Sequence, residues 1–100
     1  MIYLSNAFSL QMCSENATIC KERISAEDIP ADSHSCVGHA DTAAVLSKML
    51  GHDVPMNREN IVLDLGDILY VAQVVGGRLP EGATTLPEGV EIRFYRITVL

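Results

Sequence analysis

The stretch "NIVLDLGDILYVAQVVGG", residues 60–77, decides how the chain is read. Ile61, Leu63 and Leu65 alternate with Val62 and Asp64, the period of two that marks a half-buried strand. Gly66-Asp67 can turn the chain. The nearly continuous apolar run "ILYVAQVV" (68–75) suits a central strand covered on both faces. Together these features predict a β-hairpin.

Working outward, "EIRFYRITV" (91–99) reads as a final strand, and "RLPEGATTLPEG" (78–89) as the loop leading to it, rich in turn formers. Upstream, "ADTAAVLSKML" (40–50) is the clearest helix. Ala43, Leu46, Met49 and Leu50 share one face, Asp41 or Thr42 is placed to cap it, and Gly51 is a natural stop. Ile2–Leu4 is a short strand candidate and "ATICKERI" (17–24) a weaker one. In "SAEDIPADS" (25–33), Ser25 stands three residues before Asp28, which suits one helical turn. The expected fold is a single α/β (α+β) domain over residues 1–100. It has one mixed sheet of about five strands and its main helix packed on one face. One helix covers little of such a sheet, so a homodimer is expected to cover the rest.

Composition limits the function. The 100 residues carry a net charge of −6, and Lys21, Arg23, Lys48, Arg58, Arg78, Arg93 and Arg96 are scattered. Binding to long nucleic acid, which rests on a basic footprint, is not expected. A small anionic ligand is still compatible, since a few arginines and aimed amides can hold a phosphate. No apolar run approaches bilayer length, and no secretory signal is read at the start, so no membrane partner is expected and a cytoplasmic setting is. Three cysteines without framework spacing fit reduced thiols.

Chemistry concentrates in "HSCVGHADTAAVL" (34–46), which admits three readings. His34, Cys36 and His39 have short zinc-like gaps but lack a fourth ligand, so no metal and no cofactor are expected. Cys36 beside His39 could be a nucleophile with its base, although free cysteine is most often a small core residue. His39, just before the helix, stands at a ready anion site, where a proton donor for phosphodiester cleavage belongs. Taken alone, the residues favour an ordinary packing or capping role for His39. "SNAFS" (5–9) follows the first strand, and Ser5, Asn6 and Ser9 can donate hydrogen bonds there. Arg58 in "MNREN" and Arg78 in "GGRLPEG" stand beside turns and can clamp a phosphate. Glu81 can act as a base or orient a histidine.

"IYLSNAFSL", "GHADTAAVLSKMLG", "NRENIVL" and "LYVAQVVGGRLPEG", in this order over nearly the whole chain, resemble the small viral anti-CRISPR ring nucleases and their phage and bacterial relatives. The resemblance implies a dimer that binds cyclic tetra-adenylate, the second messenger of type III CRISPR systems, and cuts it without a metal. It implies catalytic roles for His39 and Glu81, and ligand binding by Asn6, Ser9, Arg58 and Arg78. One departure stands out. Relatives often carry a helix before the last strand, whereas "ATTLPEGVE" is short and holds Pro87 and Gly89, so a turn is expected there. The alternative is a non-catalytic nucleotide- or nucleic-acid-binding regulatory dimer of the same fold. A third reading is a small interaction protein.

Overall fold

In a computed structural model describing residues 1–100, the central apolar run is a strand paired along both edges. The strands are β1 (Ile2–Ser5), β2 (Ile19–Ile24), β3 (His34–Ser35), β4 (Ile68–Val75) and β5 (Glu91–Val99), with one helix, α1 (Ala40–Leu50). They form a single mixed sheet in the order β2-β5-β4-β1-β3. β1 runs parallel to both β3 and β4, and β5 runs antiparallel to β4 and β2. This is the expected five-strand sheet with one main helix.

The hairpin is a correction. Residues 60–65 form no strand, and the fifth strand is His34–Ser35 instead. β1 and β5 already occupy the two edges of β4, so the segment before Gly66 has no ladder to join. It crosses a face of the sheet. There Ile61 and Leu63 pack with Cys36, Leu69, Val71 and Ile97. The Leu63 N–H donates to the carbonyl oxygen of Met12 (2.6 Å), on the 3-10 turn Leu10–Met12. The alternation of Ile61 and Leu63 is therefore real, but it reports burial against a sheet rather than membership in one. Leu65 is 78% exposed, so the pattern ends before it.

Alternation along β4 divides the core. Tyr70 and Ala72 join Leu4, Ala43, Val45, Leu46 and Phe94 under the helix, while Leu69 and Val71 join the opposite cluster. The chain thus covers part of the second face itself, which removes some of the apolar surface that suggested a dimer. α1 begins after His39 and ends at Gly51 (φ 76°), whose left-handed conformation closes the last turn through a bond to Ser47 O. Ala43, Val45 and Leu46 are buried and Leu50 packs against them. Met49 is exposed instead of lying on the apolar face. Ser25 and Asp28 close the single turn Ala26–Asp28, with the Ser25 N–H donating to the Asp28 carboxylate (3.0 Å). No helix is long and apolar enough to cross a membrane.

The two readings of residues 61–65 separate experimentally. Leu63→Ala should cost about 2–5 kcal/mol of stability in denaturant unfolding, whereas Leu65→Ala should stay within about 0.5 kcal/mol of wild type. Equal losses at both positions would restore the hairpin.

Candidate functional site

Two parallel strands and the start of the helix converge on one cleft. β1 ends at Ser5 and passes directly to Asn6. β4 continues beyond its last pairing with β1 (Ser5 with Val71), carrying Gln73 past the end of β1. After β3, Cys36, Val37 and Gly38 lead to His39 and α1. The resulting cleft of about 630 Å³ lies at the carboxyl ends of parallel strands, the position where α/β sheets collect ligands. Asn6, His39 and Arg78 line it, joined by Asp41, Thr42 and Gln73.

His39 is the N-cap of α1, with extended backbone (φ −128°), and its carbonyl accepts the first helical bond from Ala43 N–H (3.0 Å). Its side chain caps nothing and is exposed at the cleft, where the open N–H groups of the first turn lie. Neither Asp41 nor Thr42 is the cap. Thr42 is buried, and the Asp41 carboxylate accepts a bond from Gly82 N–H (3.0 Å).

The peptide before His39 is held from both ends. Gly38 N–H donates to Asn6 Oδ1 (3.2 Å), and Arg58 donates to Gly38 O through Nε (3.3 Å) and Nη2 (3.1 Å). Arg58 reaches Gly38 because residues 54–59 return beside β3. Asn57 N–H donates to Val37 O, Asn57 Nδ2 to Ser35 O, and Ser35 Oγ to Pro55 O. Arg58 thus positions the backbone of the catalytic candidate and does not line the cleft. Arg78 does line it and forms no ion pair with a carboxylate. By contrast, Arg93 is bonded to Glu91 and Arg96 to Glu22.

Ser9 and Glu81 do not line the cleft. Ser9 precedes the turn Leu10–Met12 and is exposed. Glu81 is exposed on the loop between β4 and β5, which contains no helix, as the short "ATTLPEGVE" led us to expect. That loop is fixed at two points. Gly76 (φ 92°) approaches Gly89 so closely that a Cβ would collide with the Gly89 carbonyl oxygen, and Gly82 is tied to Asp41. The sequence reading missed Gln73 as a site residue, although it is the one polar side chain in "ILYVAQVV". It missed Asp41 and Thr42 by reading them as caps.

Cys36 is no partner of His39. It lies in the second core cluster, and burial, with a smaller contribution from the Glu59 charge, pushes its thiol up to about 11. A thiol in that state is a poor nucleophile near neutral pH. The group that joins His34 and Cys36 is Glu59, not His39.

The profile of the STIV B116-like family matches residues 2–97. The chain is 33% identical over 89 residues to the uncharacterized protein ORF117 of Acidianus two-tailed virus, covering 82% of this chain and 75% of that protein. Its fold is similar to that of B116 of Sulfolobus turreted icosahedral virus, with a TM-score of 0.79, 21% identity and 97% of each chain covered.

Asn6→Ala should leave the Gly38 N–H without its partner. The expected cost is about 0.5–1.5 kcal/mol, together with faster amide exchange at Gly38 by NMR. Unchanged exchange would show that Asn6 does not hold this peptide.

Proposed function

The chain belongs to the STIV B116-like family, and we propose that it is a ring nuclease for cyclic tetra-adenylate. The observation that supports this best is the placement of His39. It stands free at the start of α1, beside Arg78, Asn6 and Gln73, in a cleft at the ends of parallel strands. That arrangement offers a proton donor, a cation and amide donors to one phosphodiester. The motif resemblance supplies the substrate.

An RNA linkage carries its own nucleophile. The ribose 2′-oxygen attacks phosphorus, the bond from phosphorus to the 5′-oxygen breaks, and the departing oxygen takes its proton from His39. The 2′-OH proton passes to solvent, since Glu81 does not line the cleft. Arg78 and the first-turn amides of α1 offset the charge gathering on the phosphorane oxygens. Arg58 and Asn6, by fixing Gly38, hold His39 in line, and alignment of this kind lowers the barrier in its own right. In this reading no metal takes part in the cleavage. A two-fold dimer presents two His39 side chains to a four-fold ring and cuts opposite linkages. The products are linear di-adenylates ending in 2′,3′-cyclic phosphate, and their formation silences type III CRISPR signalling in the cytoplasm.

The position of Glu81 favours a second reading. An exposed glutamate outside the cleft supplies no base next to His39, which suits a dimer that binds the nucleotide without cutting it.

Incubating the purified protein with labelled cyclic oligoadenylates of several ring sizes in EDTA decides between the two. Di-adenylates with cyclic phosphate ends are expected. Intact rings bound to the protein would establish the second reading.

His39→Ala should bind the ring and cut it about 10²–10⁴-fold more slowly. An equally active variant would remove His39 as the acid. Arg78→Ala should weaken binding by about 1–3 kcal/mol in calorimetry. Arg58→Ala should lower the cleavage rate more than the affinity, because its guanidinium bonds the Gly38 backbone.

A further inference from the structure

His34, Cys36 and Glu59 come together on the outer edge of the sheet, and none of them lines the cleft. One ligand atom from each lies within 4.8 Å of the others. The short zinc-like spacing "HSCVGH" lacked a ligand when read along the chain. Folding supplies one from 23 residues beyond Cys36, because residues 54–59 return beside β3. We infer that His34, Cys36 and Glu59 form a binding site for a thiophilic divalent cation such as Zn²⁺, with water as the fourth ligand.

The chemistry of the set fits. One imidazole, one thiolate and one carboxylate are the three kinds of side chain that zinc accepts. With bond lengths of about 2.0–2.3 Å, a tetrahedral ion holds its ligand atoms about 3.3–3.6 Å apart. His34 Nε2 and Glu59 Oε2 are now 2.7 Å apart and hydrogen-bonded. Their side chains are 42% and 45% exposed, so solvent leaves them room to part by the roughly 0.6–0.9 Å that an ion needs. Cys36 is buried behind them at 6% exposure, giving the site a fixed floor and a movable mouth.

The supporting shell is also present. Asn57 Nδ2 donates both to Glu59 Oε2 (2.9 Å) and to Ser35 O (2.8 Å), which aims the carboxylate at β3. The bonds from His34 and Asn57 hold the Glu59 carboxyl below the usual carboxylate range. The Edge of the Tyr3–His34 ring pair (centroids 5.9 Å, 80°) orients the imidazole. Binding replaces the Cys36 S–H proton by the metal and releases that proton to solvent, so affinity rises with pH. A bound cation would staple the 57–59 segment to β3.

The test uses the metals alone. Chelator-stripped protein is titrated with Co²⁺ or Cd²⁺, and thiolate-to-metal charge-transfer absorption is followed. One equivalent per chain is expected, displaced by Zn²⁺. Cys36→Ser should abolish the signal, while Cys13→Ser and Cys20→Ser should leave it unchanged. Asn57→Ala should weaken binding by roughly 10–100-fold, as loss of a supporting bond does. Should Cys36→Ser fail to fold, Glu59→Gln provides a second arm. Zn²⁺ should raise the melting temperature of the wild type and do so much less in this variant. The absence of a charge-transfer band, or a band that survives in Cys36→Ser, would overturn the site and leave His34–Glu59 as a surface ion pair. No readout involves nucleotide, so the outcome is independent of whether the chain is a ring nuclease.

Discussion

β4 is paired along both edges, and the arrangement of the molecule follows from that constraint. With β1 parallel along Ile68–Val71 on one side and β5 antiparallel along all of Ile68–Val75 on the other, the first half of β4 has no edge left for the strand that would precede it in a hairpin. The preceding segment must therefore cross a face, where Ile61 and Leu63 become part of the second core. The short β3 must add at the far side of β1. Because β1 and β4 are parallel, their carboxyl ends open in the same direction, and β4 outruns β1. An all-antiparallel meander of the same strands would place neighbouring carboxyl ends at opposite edges, and no such shared cleft would form.

An acidic chain can present an anion site only if its few cations are placed with care. Arg93 and Arg96 are taken up by Glu91 and Glu22 on the strands. Lys21 and Arg23 lie over the Tyr95 ring on β5, away from the cleft. Arg58 is committed to Gly38. Arg78 is the cation that lines the cleft, and the Asp41 carboxylate beside it is partly satisfied by Gly82 N–H. The cation at the cleft is thus a single guanidinium, set near the helix start. One such cation is in keeping with the proposed small anionic ligand, whereas a long polymer's backbone calls for many.

Where burial and local geometry act together, the chain could be read directly. The helix 40–50 with its Gly51 stop, the strands 68–75 and 91–99, and the capped turn at Ser25–Asp28 all came from patterns that contain their own cause. The exchange of 61–65 for His34–Ser35 did not, since alternation records which side chains are covered, and a loop lying on a sheet alternates as a strand does. Two residues of β3 leave no periodic trace at all. For the cleft, His39 and Arg78 were visible from the turn and helix signals around them. The division of labour between the two arginines was not. A guanidinium that grips a carbonyl and one that faces a ligand look alike in a sequence, and only the return of residues 54–59 beside β3 tells them apart.

That return joins two parts of the molecule that the chain order keeps separate. Asn57 and Glu59 belong to the His34–Cys36 cluster, while Arg58 between them reaches over to Gly38. Three consecutive residues therefore connect the sheet edge to the peptide that sets the backbone of His39. Any ligand that immobilises residues 57–59 also stiffens the grip on Gly38, without touching the cleft. The coupling is reciprocal by necessity. If a group bound at His34, Cys36 and Glu59 alters affinity at the cleft by some factor, a nucleotide in the cleft alters affinity at the edge by the same factor. The size of that factor depends on how much freedom residues 57–59 retain beforehand. Two side-chain bonds and one backbone bond of Asn57 already restrict it before any ligand arrives. A segment so constrained transmits position more than it transmits affinity, and position is what the role proposed for His39 requires.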